Sequence, residues 1–225
     1  MLNKTEFKEK IAKAIEEKNI LKHPFYQKWN EGTLTRDELA EYSKQYFHFV
    51  KHFPMFVSAV HSNCEEPAIR KMLLDNLADE EGFKTYIPDH PSLWENFCSA
   101  LDVKPEEIGN TSINPGVASM VKGFYNFCRN EDYKIGLAAL LSYEFQIPEV
   151  SRVKIDGLAK HYNISSPDAI EFFTVHEKAD VYHSEDELNV LLNYCTNEEE
   201  QDIVIDTIQK GAGLYWKMLD GLYVN

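Results

Sequence analysis

Apolar positions along this chain recur at three- and four-residue intervals, and the strict alternation of half-buried strands is nearly absent. The pattern predicts helices from end to end. Thr35 with Glu38 makes a capping-box pair that opens a long periodic stretch towards Val60. Glu66-Pro67 places proline in a first helical turn, and Ile69, Met72, Leu73 and Leu77 follow on one face. Ser92 with Glu95 starts a helix through Trp94, Phe97 and Leu101, and Asn114-Pro115 starts another carrying Val117, Met120, Val121, Phe124 and Phe127. A further helix runs from about Asp132 to Gln146, and Pro148 then kinks or breaks the chain before a helix ending near Tyr162. Ser166-Pro167-Asp168 caps the helix that follows, and Thr196 with Glu199 caps the last one, which ends near Leu222. Connections are short, and no repeat or low-complexity linker interrupts them. The expectation is an all-α bundle, a single domain over residues 1–225.

Composition narrows what such a bundle does. With 225 residues, 44% of them hydrophobic, the chain is long and apolar enough to bury a substantial core. A net charge of -14 argues against a nucleic-acid partner and against a polybasic membrane anchor. The longest apolar stretch, around Leu137 to Leu141, is far too short to span a bilayer. Met1 to Glu6 is polar and lacks the apolar core of a signal peptide. Cys64, Cys98, Cys128 and Cys195 are scattered without a CxxC pair, so neither a disulfide framework nor a zinc site is expected. A reduced cytoplasm fits best, and nothing in the sequence bars secretion into a host.

The most informative segment is Thr174 to His183. It places His176, Asp180 and His183 at i, i+4 and i+7, within a stripe of about 60° on one helix face. Imidazole and carboxylate together are the ligand set of a transition metal such as iron or manganese. His176 and His183 lie two turns apart, roughly 10 Å along the axis. Ligand bonds are only about 2 Å long, so two adjacent ions suit this spacing better than one.

Two ions need more ligands, which should be acids or histidines at positions otherwise built for burial. Glu144 follows Leu137, Leu140 and Leu141 at helical spacing, and a lone buried carboxylate is costly unless paired or metal-bound. Glu80 continues the face of Leu77, and His90 sits between Pro88-Asp89 and Pro91 at a helix entrance. Glu81, Asp186 and Glu187 read as solvated charges, and Glu177 and Glu185 flank the motif on other faces. His48 and His52 form a competing i, i+4 pair, but their aromatic neighbours suggest core or pocket lining.

Four segments carry a resemblance: Tyr46 to Cys64, Leu73 to Glu81, Ser142 to Pro148 and His176 to His183. Together they closely resemble the CADD-like members of the TenA/PqqC group, proteins named for association with death domains. The resemblance covers almost the whole chain. It implies a heme-oxygenase-like helical bundle, often dimeric, and a dinuclear metal oxygenase. Its first ligand glutamate falls on Glu80 and its first ligand histidine on His90, across a connection longer than the family pattern. The mid-helix glutamate falls on Glu144, and the final triplet on His176, Asp180 and His183. The implied cofactors are two iron ions, or a mixed iron/manganese pair, with dioxygen and an external reductant. The implied reaction makes para-aminobenzoate for folate synthesis from the protein's own residues. The ring comes from a tyrosine at Tyr26 and the nitrogen from a lysine at Lys154, with Tyr143 as another active-site tyrosine. A homodimer and a death-domain partner are also implied.

Read from the residues alone, Tyr26 is one aromatic of a core cluster with Phe25 and Trp29, Lys154 is a surface lysine, and Tyr143 is a phenol in need of some partner. Two other readings stay open. One is a conventional member of the group acting on a free small molecule, as a thiamin-related hydrolase or a ring oxidase. The other is a death-domain-binding interaction protein. For the metal pair, the spacing assigns His176 with Glu80 and His90 to one ion and Asp180 with His183 to the other, and Glu144 bridges them.

Overall fold

A computed structural model describes residues 1–84 and 87–223. Helix α1 spans Lys4–Glu16, and a short 3₁₀ turn at Ile20–Lys22 leads into α2, Pro24–Glu31. Then come α3 (Arg36–Val50), α4 (Phe53–Asn63), α5 (Pro67–Glu80), α6 (His90–Ala100) and α7 (Pro105–Asn110). The second half holds α8 (Pro115–Asn130), α9 (Tyr133–Glu144), α10 (Ile147–Tyr162), α11 (Pro167–Tyr194) and α12 (Glu198–Leu222). The all-α expectation holds, with no strand among the described residues. No described helix is long and apolar enough to cross a membrane.

The centre is α9. Every residue from Gly136 to Glu144 is buried, so this helix has no polar face to turn outward. It is wrapped by α4, α8, α11 and α12. The other main contacts of α11 are α10 and α6, and α5 lies against α4 and along α11. One continuous cluster of buried apolar side chains runs through the bundle.

Several helix boundaries differ from the sequence expectation, each for a local reason. The stretch from Thr35 towards Val60 is two helices. Pro54 cannot continue the α3 hydrogen-bond ladder, and it sits in the first turn of α4 instead. Helix α6 starts at His90, two residues before Ser92, because Asp89 is the cap and its Oδ1 accepts from the Ser92 amide at 2.9 Å. At α12 the cap is Asn197, which accepts from the Glu200 amide at 2.9 Å, and not Thr196 with Glu199. Ser166 makes no side-chain cap bond at α11, where Pro167 opens the helix.

Apolar periodicity does not delimit the short α2. Pro24 presets its first turn, the His23 ring accepts from the Phe25 amide at 3.1 Å, and Gly32 closes it at φ 69°. Its Trp29 is fully buried and donates to the Lys154 carbonyl on α10 at 3.4 Å. Gly157 permits this approach, since a Cβ there would sit 2.6 Å from Trp29 Cδ1. We expect Gly157→Ala to force α2 off α10 and cost about 1–3 kcal/mol of stability. Thermal unfolding should show it as a Tm lowered by roughly 3–10 °C, and an unchanged Tm would disprove this packing role.

Candidate metal centre

Glu80 is the last residue of α5, His90 the first of α6 and Glu144 the last of α9, while α11 carries His176, Asp180 and His183 on successive turns. The bundle brings these six together as two trios. One ligand atom each from Glu80, His90 and His176 lies within 4.8 Å of the others, and so do ligand atoms of Glu144, Asp180 and His183. All six residues are buried. The two histidines of α11 fall in different trios, as their two-turn spacing predicts. Glu144, expected between the ions, groups with Asp180 and His183. His48 and His52 belong to neither trio.

The orientation of the imidazoles suits ligation. His176 Nδ1 lies 2.7 Å from the Phe172 carbonyl, which can only accept, so Nδ1 carries the proton and Nε2 keeps a lone pair. His183 turns Nε2 to Asp79 Oδ2 at 3.2 Å. Its Nδ1 faces the trio, 3.5 Å from Asp180 Oδ1 and 3.9 Å from Glu144 Oε1. Outer partners of this kind fix the tautomer and raise the basicity of metal-bound histidines. His90 Nδ1 is 2.9 Å from Glu80 Oε1, off the direction of a hydrogen bond.

Charge in the site is unbalanced. Glu80 and Glu144 end their helices, where backbone carbonyls already add partial negative charge. Glu80 Oε1, Glu144 Oε2, both Asp180 oxygens and the Nδ1 atoms of His90 and His183 have no hydrogen-bond partner among the described residues. Groups buried so far from water without hydrogen bonds would cost several kcal/mol. Burial disfavours a charged His183, yet Asp180, Glu144 and Glu80 outweigh it and push the imidazole up to about 10. Burial likewise pushes Asp180 up to about 7 and raises Glu144. In His176 burial and the neighbouring His90 push the other way, so this ring stays neutral. The cluster as a whole draws in positive charge. Convergent carboxylates and imidazoles with unsatisfied lone pairs fit a pair of transition-metal ions.

Beside the trios is a buried aromatic chamber, closed by packed rings around one amine. Lys154, a surface lysine on sequence grounds, is only 2% exposed, a correction with a clear cause: α10 turns that face onto α2 and α11. Its Nζ donates to Tyr42 Oη at 2.8 Å and lies 5.1–5.6 Å from the ring centroids of Tyr26, Tyr42, Tyr46, Trp94 and Phe173. Burial pushes the amine down to about 7. Tyr26 is fully buried, as a core aromatic would be, and its hydroxyl is 3.3 Å from that of Tyr42. Tyr143 pairs with Tyr46 at 2.6 Å, and Tyr46 reaches Tyr215 at 3.1 Å. Burial holds Tyr26, Tyr42, Tyr46 and Tyr143 well above the ordinary phenol range and Tyr215 at about 12, so all five keep their protons.

Sequence reasoning missed several neighbours. Glu187, read as solvated, is 1% exposed and beside Glu144, because it extends the buried stripe of α11 one turn past His183. That i+4 spacing was the available signal. Tyr42 and Tyr46 are also an i, i+4 pair, whereas Asn76, Asp79 and Tyr215 carry no pattern that separates them from ordinary helix residues.

Comparison with known proteins agrees with this architecture. A model described as the TENA/THI-4/PQQC family matches residues 10–219. A 4-aminobenzoate synthase from Nitrosomonas europaea is 37% identical over 228 residues, covering 97% of this chain and 92% of that one. A 4-aminobenzoate synthase from Chlamydia trachomatis is 38% identical over 218 residues, covering 95% and 90%. A solved domain from Shewanella denitrificans with a heme oxygenase-like fold aligns with a TM-score of 0.78 at 18% identity, over 99% of this chain and 92% of that one, a likeness of fold alone. A match over most of the length, with relatives this similar across nearly all of it, means that the chain belongs to the TENA/THI-4/PQQC family.

Proposed function

We propose that this protein is an oxygen-dependent dimetal enzyme that makes 4-aminobenzoate from itself, taking the ring from Tyr26 and the nitrogen from Lys154. The observation that carries this reading is Lys154. A fully enclosed amine, with no carboxylate partner among the described residues, stands 5.6 Å from the ring centroid of Tyr26, beside two trios suited to metal. Burying a lysine this way is costly, and a catalytic amine is the usual reason. The relatives named 4-aminobenzoate synthase support the same product.

The skeletons match. 4-Aminobenzoate has one carbon beyond the ring, para to nitrogen, and a tyrosine side chain has Cβ para to its oxygen. Release therefore breaks the Cα–Cβ bond, leaves a glycine at position 26 and oxidises Cβ to a carboxylate. The ring C–O bond is replaced by C–N with the oxygen leaving as water, and the Lys154 Cε–Nζ bond breaks oxidatively to leave an aldehyde at Cε, dioxygen being the oxidant throughout. A bound pair of iron ions, or iron with manganese, would supply the activation of dioxygen for these oxidations, with electrons from an external reductant. Glu80, His90 and His176 would hold one ion and Glu144, Asp180 and His183 the other.

The chain's own residues do the rest. Burial keeps much of the Lys154 amine neutral near pH 7, with a free lone pair. Tyr42 accepts from Nζ and also meets the Tyr26 hydroxyl, so one phenol aligns nitrogen donor and ring. Tyr143 stands between the chamber and Glu144, braced by Tyr46. Aromatic walls exclude water, which would otherwise compete with the amine. A chain used in this way acts once.

Two features disfavour a free substrate. The cavities against the trios are lined by residues of α5, α6 and α11 and by Ile87, and reach neither Tyr26 nor Lys154. A cysteine hydrolase needs an accessible, acidified thiol. All four cysteines here are buried, and burial raises every thiol, Cys98 and Cys195 to about 11.

Loaded with ferrous iron or manganese, then given reductant and oxygen, the protein should lose mass at Tyr26. Tyr26→Phe should keep its full mass and yield no 4-aminobenzoate, and Lys154→Met should also yield none while melting no lower than wild type. An unchanged wild-type mass with both metals held would point to a free substrate instead.

Metal must displace protons from His183, held to about 10, and Asp180, held to about 7. Mn²⁺ affinity should therefore rise as pH climbs from about 6 to 8, up to roughly tenfold per unit for each proton released. A flat profile in calorimetry would contradict the assignment of these ligands. From the resemblance we also propose a homodimer, and sedimentation equilibrium should return twice the monomer mass.

A further inference from the structure

Asn76 and Glu187 stand outside both trios but adjoin one of them. Asn76 donates from Nδ2 to Glu144 Oε1 at 3.0 Å. Glu144 Oε2 is left without a partner, as are Asn76 Oδ1 and both oxygens of Glu187. Glu187 lies beside the Glu144 carboxyl and is 1% exposed. Three side chains thus present four buried oxygens with no hydrogen to satisfy them.

Asn76 and Glu187 also line a cavity of about 180 Å³ between α5 and α11, together with His183. Asp75, Asp79 and Asp186 complete an acidic lining, and Lys84 pairs with Asp75 at 2.6 Å and Asp79 at 3.1 Å. A concave, negatively charged opening concentrates cations. A proton shared between Glu144 and Glu187 would satisfy those two carboxyls in part. It would leave Asn76 Oδ1 and the second Glu187 oxygen bare, and a cation is the group that satisfies buried lone pairs of this kind. The donors are all oxygen, in contrast to the imidazole-bearing trios, which suits a hard divalent ion.

We propose that Asn76, Glu144 and Glu187 form a third divalent-cation position at the inner end of this cavity, where an entering metal ion is held before it passes to the Glu144–Asp180–His183 trio. The proposal rests on the dimetal reading only for the ion's destination. As on-path capture, it makes Glu187 the carboxylate that takes metal from the cavity and hands it to the trio.

The test is anomalous diffraction from crystals of the full chain equilibrated with Mn²⁺, together with the rate of Mn²⁺ uptake in solution. A Mn²⁺ peak within roughly 2–2.5 Å of a Glu187 oxygen is expected, in addition to peaks at the trios. Glu187→Gln should remove that peak and slow uptake about tenfold, an effect of the size that outer-shell carboxylates have on metal binding. Glu185→Gln, an exposed neighbour, should leave uptake unchanged. Filled trios with no Mn²⁺ at Glu187, or unaltered uptake by a folded Glu187→Gln protein, would overturn the proposal. Mn²⁺ at Glu187 with both trios empty would uphold the cation position, overturn its on-path role and defeat the dimetal reading. If Glu187→Gln does not fold, the wild-type map alone decides.

Discussion

The interior of this bundle holds more negative charge than its own protons comfortably balance. Glu80 and Glu144 end α5 and α9 pointing inward, and Asp180 and Glu187 face them from α11. Helix dipoles at those two ends add to the imbalance, and burial removes the water that would screen it. Everything nearby answers to this constraint. His183 is drawn towards its charged form, Asn76 donates to Glu144, and Lys84 offsets the acids at the cavity mouth. Divalent ions resolve the conflict most completely, which is why the centre reads as metal-binding from its own residues.

The lysine chamber follows the opposite logic. There a cationic group sits among aromatic faces with only hydroxyls for company. Ring faces attract a cation weakly, and desolvation repels it more strongly, so the balance tips towards the neutral amine. The two regions are held side by side by α11, which has His176 on one turn and Phe173 three residues earlier. Acid-rich and amine-bearing sites would neutralise each other if they met. The interposed phenols of Tyr143, Tyr46 and Tyr42 keep them apart: Tyr42 accepts from Lys154, Tyr143 pairs with Tyr46, and the rings of Tyr42 and Tyr46 stack between the two.

Much of this was legible in the chain. Polar residues on apolar helical faces exposed Glu80, Glu144 and the His176–Asp180–His183 stripe, because a 3.6-residue period records which side of a helix is buried. Lys154 and Tyr26 were legible only through resemblance. A lysine's burial depends on what packs over it from distant segments, here Tyr26 of α2, Tyr42 of α3 and Trp94 of α6, and no local pattern encodes that. Glu187 was misread for a different reason: its acidic neighbours Glu185 and Asp186 suggested a solvated run, although its i+4 spacing from His183 puts it on the buried stripe of α11. Boundaries slipped where a cap competed with a nearby look-alike, as Asp89 did with Ser92.

Tyr26 is one of the most deeply packed rings in the molecule, touching Phe25, Trp29 and Tyr42. A chain that has surrendered that ring, on the proposed chemistry, is left with a void at the junction of α2, α3 and α10. Emptying an aromatic position of this kind typically costs about 3–5 kcal/mol, a large part of the 5–15 kcal/mol that holds an average domain together. The spent protein would thus differ from the fresh one in its lifetime as well as its composition. Cellular proteases recognise loosened folds, so the act of making product would also mark the maker for recycling.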